Sequence, residues 1–359
     1  MQALCVSSVQ RKKPSKKTIA KIIGIAAVLL LFFSVLFFLA HKKNKDLGIT
    51  PDASSSSSES ILNVSDTTDL YGDEDVDLVI FYGGKSYKAK KNVESFLFIG
   101  IDSFGEPQES ESYINKDQAD VLMLVVVDHD TKQYSILQIN RDTMAEITII
   151  GAAGDNLGTG VAQIAFSHTY GSGLNDSCEY TVQAVKTLLM DSAEIDHYIS
   201  LNMDVIGILN DSVGGVTVKI PYDMTVLDPA MTEGAQLTLT AKQAEYFVRG
   251  RMGLDEPTNI SRMERQITFL NTWKSLANKK MDEDPGFAIN LIGDLSDYMV
   301  TDMDLSKLSD LASYLSEYES VGLIKLDGDS RKGEQYMEFY CYENSIKEAV
   351  LSLYYNEES

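Results

Sequence analysis

Three apolar runs in the first half of the chain predict the centre of a β-sheet. SFLFIGID (95–102) and VLMLVVVD (121–128) are continuous apolar segments that each end in Asp, as expected for strands buried on both faces. QYSILQIN (133–140) follows the second segment across the turn DHDTK, which indicates an antiparallel hairpin within the same sheet. A Gly-Gly pair inside LVIFYGGKSYKAK (78–90) predicts a further hairpin at the edge of the domain.

Helical periodicity dominates the second half. HYISL (197–201) and GVTVKI (215–220) are short strand candidates that interrupt it. This alternation predicts an α/β fold, specifically a three-layer α/β/α sandwich with a mixed central sheet. The segments with helical spacing of apolar residues are 179–190, 205–213, 241–248, 262–277, 305–318 and 343–355.

A single uncharged run, 22–40 (IIGIAAVLLLFFSVLFFLA), precedes this domain. As a helix it would be about 28 Å long, close to the hydrocarbon thickness of a bilayer. A cleaved signal peptide is the alternative, but its apolar core is usually shorter, and no small-x-small cleavage site follows. The run therefore predicts one transmembrane anchor, and the excess of Lys and Arg before it places the basic tail, 1–21, in the cytoplasm.

Charge separates the tail from the rest of the protein. The chain has a formal net charge of −22, and its first 45 residues contain nine Lys or Arg and no Asp or Glu. The remainder is strongly acidic, which excludes nucleic acid as a partner because binding polyphosphate requires a basic face. Residues 41–77 include the serine-rich PDASSSSSES and predict a flexible linker outside the cell membrane, followed by an extracytoplasmic domain over 78–359.

Charged residues follow or open the three central strands. Asp102 ends the first strand, Asp120 opens the second, and Arg141 and Asp142 follow the third. Buried charges are costly unless they are paired or bind a ligand, so these residues are either structural ion pairs or parts of a site. Asp102 and Asp120 could equally be turn or salt-bridge residues, or ligands of a hard cation such as Mg²⁺.

A second basic segment lies at 247–266 (FVRGRMGLDEPTNISRMERQ). Ser261 and Glu264 have the spacing of a capping box and predict a helix that starts at about Arg262, with an N-terminus suited to an anion. Arg262 and Gln266 share one face of this helix. Arg249 and Arg251 would point the same way in an extended segment, whereas Arg265 is expected on the surface, paired with nearby carboxylates.

The order of these segments resembles the LytR-CpsA-Psr family of cell-wall glycopolymer ligases. The resemblance covers about 93–277, the motif-bearing core, and its motifs are FLFIGIDS, ADVLMLVVVD, ILQINRDT, QIAFSHTYG, VGGVTVKIP, VRGRM and SRMERQ. It implies a membrane-anchored phosphotransferase that moves an anionic glycopolymer from a polyprenyl-pyrophosphate carrier to a peptidoglycan hydroxyl. A polyprenyl-pyrophosphate hydrolase, or a non-catalytic envelope regulator or scaffold, remains the alternative.

The resemblance also implies roles for particular residues. Asp102 and Asp120 fall on the family's metal-binding aspartates, which implies Mg²⁺. Arg141 would bind the pyrophosphate, with Asp142 beside it as a candidate base, so that Asp102, Arg141 and Asp142 form the catalytic set. The remaining residues implied to bind pyrophosphate are Arg249, Arg251, Arg262 and Gln266.

Two positions depart from the family pattern. Asn140 replaces a proline before Arg141, and Gln163 stands where a phosphate-facing lysine is often found. His168 could supply a replacement donor, but a buried, hydrogen-bonded structural histidine is at least as consistent with the sequence. Cys178 and Cys341 would share the outer compartment, where two unpaired thiols are favoured over a disulfide.

Overall fold

The computed structural model describes residues 79–192, 194–250, 259–284, 286–334 and 336–358. The predicted tail (1–21), anchor (22–40) and linker (41–77) lie outside the described residues. Within the part of the chain that is described, no helix combines the length and the apolar character needed to cross a membrane.

The domain consists of many short strands and seven helices longer than one turn among the described residues, together with a 3-10 helix at Ile164–Thr169. The strands are β1 (Val79–Tyr82), β2 (Lys85–Ala89), β3 (Val93–Ile101), β4 (Ala119–Asp128), β5 (Gln133–Ile139), β6 (Met144–Ile150), β7 (Asn156–Gln163), β8 (His197–Leu201), β9 (Thr217–Lys219), β10 (Gln236–Thr238), β11 (Met299–Thr301), β12 (Glu319–Lys325), β13 (Gly328–Lys332), β14 (Met337–Cys341) and β15 (Tyr355–Glu358). The helices are α1 (Asn175–Leu188), α2 (Asp204–Ser212), α3 (Ala241–Arg249), α4 (Asn259–Glu283), α5 (Phe287–Ser296), α6 (Leu305–Glu317) and α7 (Glu343–Tyr354).

A six-stranded mixed sheet forms the centre, in the order β11-β8-β3-β4-β5-β12. The pairs β3–β4, β4–β5 and β11–β8 are antiparallel, whereas β3–β8 and β5–β12 are parallel. The predicted central strands, the β4–β5 hairpin and the mixed sheet are therefore confirmed. The predicted edge hairpin is also present, as β1 and β2.

Helices cover both faces of this sheet. Phe96 and Phe98 of β3 point into a core shared with α2 to α6, while Leu97 and Ile99 point into a second core shared with α1 and α7. This alternation explains why β3 is an unbroken apolar run, since each face must be buried.

Several strands and helices are not predicted by the sequence patterns described above. The β6–β7 hairpin was missed because β7 (NLGTGVAQ) is glycine-rich and mostly exposed, so it lacks an apolar alternation. The β13–β14 hairpin was missed as well, because β13 (GDSRK) contains no large apolar residue and is mostly exposed. Helix α5 was missed because it follows α4 closely and is only ten residues long, with a glycine inside it.

The expectations for the basic segment need three corrections. Helix α4 begins at Asn259, one turn before the predicted start. Arg249 ends α3 rather than lying in an extended segment, because a capping box formed by Thr240 and Gln243 starts a helix that continues to that residue. The prediction that Arg265 lies on the surface is wrong, because only 2% of this residue is exposed.

Arg265 is buried because the end of α3 needs hydrogen-bond donors. Its Nε donates to the carbonyl of Phe247 at 2.6 Å, its Nη2 donates to the carbonyl of Gly250, and its guanidinium lies over the ring of Tyr222. The last carbonyls of a helix have no partner within the helix, and a cation there also interacts favourably with the helix dipole. Burial lowers the pKa of Arg265 to about 10, so it stays charged at neutral pH.

Candidate functional site

The ends of three central strands meet at one edge of the sheet. Because β3, β4 and β5 are consecutive antiparallel neighbours, the end of β3, the start of β4 and the end of β5 lie side by side. The pairing Gly100 with Val121, and Leu122 with Ile139, sets this register. Asp102, Asp120 and Arg141 are therefore brought together although up to 39 positions separate them in the chain.

Arg141 is held by two partners from the start of β4. Its Nη1 donates to a carboxylate oxygen of Asp120, and its Nη2 donates to the side-chain oxygen of Gln118. About a third of the Arg141 side chain is exposed (31%), so the pair is open to solvent rather than enclosed in the core. An exposed guanidinium of this kind keeps the planar, forked geometry that matches a phosphate group.

The turn after β5 fixes the direction of Arg141 and Asp142. The side chain of Asn140 accepts a hydrogen bond from the backbone N–H of Asp142 at 3.0 Å, and its carbonyl accepts one from Thr143. Asn stabilises such a turn through its own side chain, so Asn140 replaces the conformational restriction that a proline would supply. The carbonyl of Thr143 in turn accepts from Ile164 at 2.7 Å, which fixes the turn to the 3-10 helix.

Gln163 positions Asp142. Its Nε2 donates to the Asp142 carboxylate at 3.0 Å and to the carbonyl of Met337 at 2.6 Å. Arg141 Nε lies 3.6 Å from the same carboxylate oxygen. Gln163, which stands where the resemblance implies a lysine, therefore contacts the candidate base, and it links the turn to β14.

A second arginine–aspartate pair lies beside the first. Arg249, at the end of α3, pairs through Nη2 with Asp102 and through Nη1 with Glu245 at 3.2 Å. Its guanidinium also lies 5.3 Å from the ring centre of Phe104. The side chain of Asp102 is 44% exposed, so this pair is accessible from outside the protein.

The two pairs influence each other electrostatically. Burial is the main cause that raises the pKa of the Asp120 carboxyl; Arg141 opposes it, Asp102 raises the pKa further, and Arg249 lowers it. Burial likewise raises the pKa of Asp117, with a hydrogen bond from Ser103 opposing and Asp102 adding to the effect. Asp102 therefore interacts electrostatically with both Asp117 and Asp120, and Asp120 also interacts with both arginines.

Gln266 lies on α4 next to the buried Arg265. Its Nε2 donates to the carbonyl of Val248 at 3.3 Å, directly before Arg249. Residues from α4 thus hold the end of α3 and so determine where Arg249 lies. Arg251 lies outside the described residues, and Arg262 is described only as a backbone position in the first turn of α4.

His168 is a buried, hydrogen-bonded structural histidine, the second of the two roles considered for it. It is fully buried, and its Nδ1 lies 2.9 Å from the carbonyl of Asp117. Since a carbonyl only accepts, Nδ1 carries the proton, and Nε2 is left to accept from the thiol of Cys178 at 3.8 Å. Burial lowers the pKa of His168 to about 4. Cys178 and Cys341 are both unpaired, as expected.

Whether this site can bind a metal ion depends on which ligand side chains it contains and on their number. Among the described residues, no group of three or more His, Cys, Asp or Glu side chains is arranged to hold a metal ion. Asp102 and Asp120 instead offer two carboxylates, each already paired with an arginine. Mg²⁺ commonly binds one or two carboxylates together with phosphate oxygens, so the set fits Mg²⁺ that binds together with a phosphate ligand.

Sequence reasoning missed four residues of this site: Gln118, Asp117, Glu245 and Phe104. Gln118 and Asp117 stand two and three positions before Asp120 in KDQAD, and polar residues at the start of an apolar strand could have indicated them. Glu245 could have been found from its spacing of four to Arg249 on a helix. Nothing in the sequence indicated Phe104, because an aromatic residue in a loop has no fixed position until the loop is folded.

Comparisons with known proteins agree with this fold. A model of the LytR_cpsA_psr family matches residues 56–353. The chain is similar to the polyisoprenyl-teichoic acid–peptidoglycan teichoic acid transferase TagV of Bacillus subtilis, with 27% identity over 179 residues, which is 49% of this chain and 39% of TagV. It is also similar to the TagU transferase of Halalkalibacterium halodurans, with 25% identity over 66% of this chain and 70% of that protein.

One solved structure supports the fold independently. A protein of Streptococcus agalactiae superposes with a TM-score of 0.53 at 19% identity, over 73% of this chain and 86% of that chain. At this level of identity, the superposition shows a shared fold.

Proposed function

This chain belongs to the LytR_cpsA_psr family, since the family model matches residues 56–353, and we propose that it transfers an anionic glycopolymer from a polyprenyl-pyrophosphate carrier to a hydroxyl group of peptidoglycan. The relatives TagV and TagU carry names that describe this kind of transfer for teichoic acid. Their names support the class of reaction, and the geometry of the site supports its chemistry.

One observation carries the proposal: two arginine–aspartate pairs, Arg141–Asp120 and Arg249–Asp102, meet at one open edge of the sheet. In the absence of a ligand, each arginine is neutralised by its aspartate. A pyrophosphate offers the arginines stronger, bidentate partners, and the aspartates then become available to a cation. Arg251, Arg262 and Gln266 complete the proposed pyrophosphate-binding set through the family resemblance.

The proposed reaction needs little covalent chemistry from the protein. The acceptor oxygen attacks the phosphorus that carries the glycopolymer, and the bond from this phosphorus to the bridging oxygen breaks. Polyprenyl phosphate leaves with the electron pair of that bond. Asp142 accepts the proton of the acceptor hydroxyl, and Gln163 holds its carboxylate in place. Arg141 and Arg249 stabilise the charge that accumulates on the phosphate oxygens.

Mg²⁺ is proposed as the cofactor, held by Asp102 and Asp120. When bound, it would neutralise negative charge on the pyrophosphate. The predicted anchor at 22–40 and linker at 41–77 would keep the domain on the outer surface of the cell membrane, within reach of both the carrier lipid and the wall.

Arginine substitution tests the proposal directly. Arg141→Ala should lower the rate of glycopolymer transfer by roughly 10- to 150-fold, since each hydrogen bond to a charged group contributes about 1.5–3 kcal/mol. The transfer rate of Arg141→Lys should lie between those of the wild type and Arg141→Ala, because lysine keeps the positive charge but lacks the planar guanidinium that binds two oxygen atoms at once. Lys219→Ala, which removes an exposed cation on β9, is the matched control. Transfer is measured with the full chain, a lipid-linked glycopolymer and peptidoglycan.

Product analysis separates the alternatives. Release of free glycopolymer phosphate without attachment would identify a hydrolase, and full attachment by Arg141→Ala would leave only a scaffold.

For the cation, Mg²⁺ should raise the thermal unfolding temperature only when a polyprenyl pyrophosphate is present. Asp102→Asn and Asp120→Asn should each remove this effect, and an unchanged effect in both variants would contradict the metal assignment.

A further inference from the structure

The outer face of the β13–β14 hairpin exposes an unusual number of aromatic side chains. Tyr336 is 56% exposed, Tyr342 is 50% exposed, and Tyr340, which lies between them in the chain, is 36% exposed. Large exposed apolar groups that lie together mark interaction sites more often than isolated ones do. None of these residues has a role in the chemistry proposed above.

The tyrosine rings on this face are held in fixed positions. The hydroxyl of Tyr340 donates to Glu338 at 2.8 Å, and that of Tyr342 donates to Asp329 at 2.6 Å. The guanidinium of Arg331 lies 4.8 Å from the centre of the Tyr340 ring. Rings that are already ordered lose little conformational freedom when they bind a ligand.

The same hairpin contacts the candidate catalytic turn along the edge of β14. The backbone N–H of Phe339 donates to the carbonyl of Asp142 at 2.8 Å, and Met337 accepts from Gln163. The ring of Tyr336 packs edge-on against Phe166, in the 3-10 helix that follows Gln163. The exposed aromatic face is therefore continuous with the site that would activate the acceptor hydroxyl.

The chemistry of this face fits a sugar chain. The apolar face of a pyranose ring packs on an aromatic ring, while its hydroxyls donate to carboxylates such as Asp329 and Glu338. The hairpin also carries Glu334, so its acidic residues outnumber Arg331 and Lys332. Such a surface repels the anionic polymer of the donor and accepts a neutral glycan.

We infer that the outer face of the β13–β14 hairpin binds the glycan strand of the acceptor and guides its hydroxyl to Asp142. This inference rests on the proposed transfer, and it assigns to the hairpin the recognition of the acceptor rather than of the donor. The residues that carry it are Tyr340, Tyr342, Asp329 and Glu338.

The test compares transfer with donor hydrolysis in the full chain. Tyr340→Ala and Tyr342→Ala should each weaken acceptor use, seen as kcat/KM for peptidoglycan glycan strands, by roughly two- to tenfold. Tyr340→Phe keeps the ring and should stay close to wild type. Release of polyprenyl phosphate with water as the acceptor should be unchanged. Phe81→Ala, which removes a 61% exposed aromatic from the β1–β2 hairpin, is the matched control.

Direct binding provides a second measurement. An oligosaccharide of β-1,4-linked N-acetylated amino sugars should bind the wild-type chain and bind the tyrosine variants more weakly by a similar factor. Wild-type binding and transfer by both alanine variants would overturn the inference. A parallel loss of donor hydrolysis would also overturn it, because the hairpin would then act on the catalytic turn or the donor. If the wild-type protein neither transfers nor hydrolyses the donor, the proposed function fails, while oligosaccharide binding still decides the role of this surface.

Discussion

His168 illustrates how a single buried side chain supports the site without facing a ligand. Its Nδ1–H holds the carbonyl of Asp117, next to Gln118, and Gln118 holds Arg141. A histidine in this position must stay neutral, because both of its nitrogen atoms are shielded from water and Nε2 accepts from Cys178. Its contribution to stability therefore depends on pH.

Acidification should destabilise the protein through His168. Since burial lowers its pKa to about 4, the unfolded chain binds more protons than the folded protein between about pH 6.5 and pH 4. The contribution is present in full above pH 6.5 and is lost as the pH falls through this window, by roughly 3 kcal/mol in total. The free energy of unfolding, measured in urea at several pH values, reports it.

The control for this prediction is His168→Asn, which keeps a donor for the Asp117 carbonyl but cannot titrate. The raised pKa values of Asp117 and Asp120 act in the opposite sense, because these groups favour the folded state as they become protonated. The difference between wild type and variant isolates the histidine. Parallel pH profiles for the two proteins would show that His168 does not titrate as expected.

At the scale of elements, the junction of α3 and α4 determines the position of Arg249. The last carbonyls of α3 are satisfied by Arg265 and Gln266 of α4 rather than by water. Leaving buried carbonyl groups without donors is costly. Arg265 therefore connects the packing of two helices to the geometry of the site.

Arg265→Ala should lower the free energy of unfolding by roughly 3–5 kcal/mol, since it removes buried hydrogen bonds from a charged group and leaves their acceptors unsatisfied. Urea denaturation measures this loss. Arg265→Lys should recover only part of it, because a single ammonium cannot reach both carbonyls. Lys279→Ala, which removes a largely exposed cation from the same helix, should change stability by less than about 0.5 kcal/mol. Equal stability of the Arg265 and Lys279 alanine variants would contradict the buried role.

For the whole molecule, the expected arrangement is a basic tail, one anchor, a linker and an acidic outer domain. The natural Cys5 and an introduced Ser56→Cys can report on it, after Cys178 and Cys341 are replaced by alanine. A thiol reagent that does not cross membranes should label Ser56→Cys in intact cells and leave Cys5 unlabelled until the cells are opened. Labelling of Cys5 in intact cells would show that the orientation is opposite to the predicted one. It would also remove the basis for a function at the cell wall.

Local sequence patterns were enough to predict four of the six strands of the central sheet (β3, β4, β5 and β8) and the charged residues at the ends of the first three. β3, β4 and β5 are mainly apolar because both of their faces are buried. Asp102 and Arg141 follow their strands, and Asp120 stands at the start of its strand. Short patterns of this kind can be recognised in the sequence because burial of a strand constrains residues that are neighbours in the chain.

Which charges are paired, which are buried and what lies beside the candidate catalytic turn became known only from the folded structure. Arg265 was expected on the surface from its acidic neighbours in sequence, but the free carbonyls of a separate helix bury it. Gln163 was interpreted as the loss of a lysine, whereas its side chain links Asp142 to Met337, which lies 174 positions after Gln163 in the chain. Such contacts depend on where distant segments meet, and no local pattern of hydrophobic and polar residues encodes that distance.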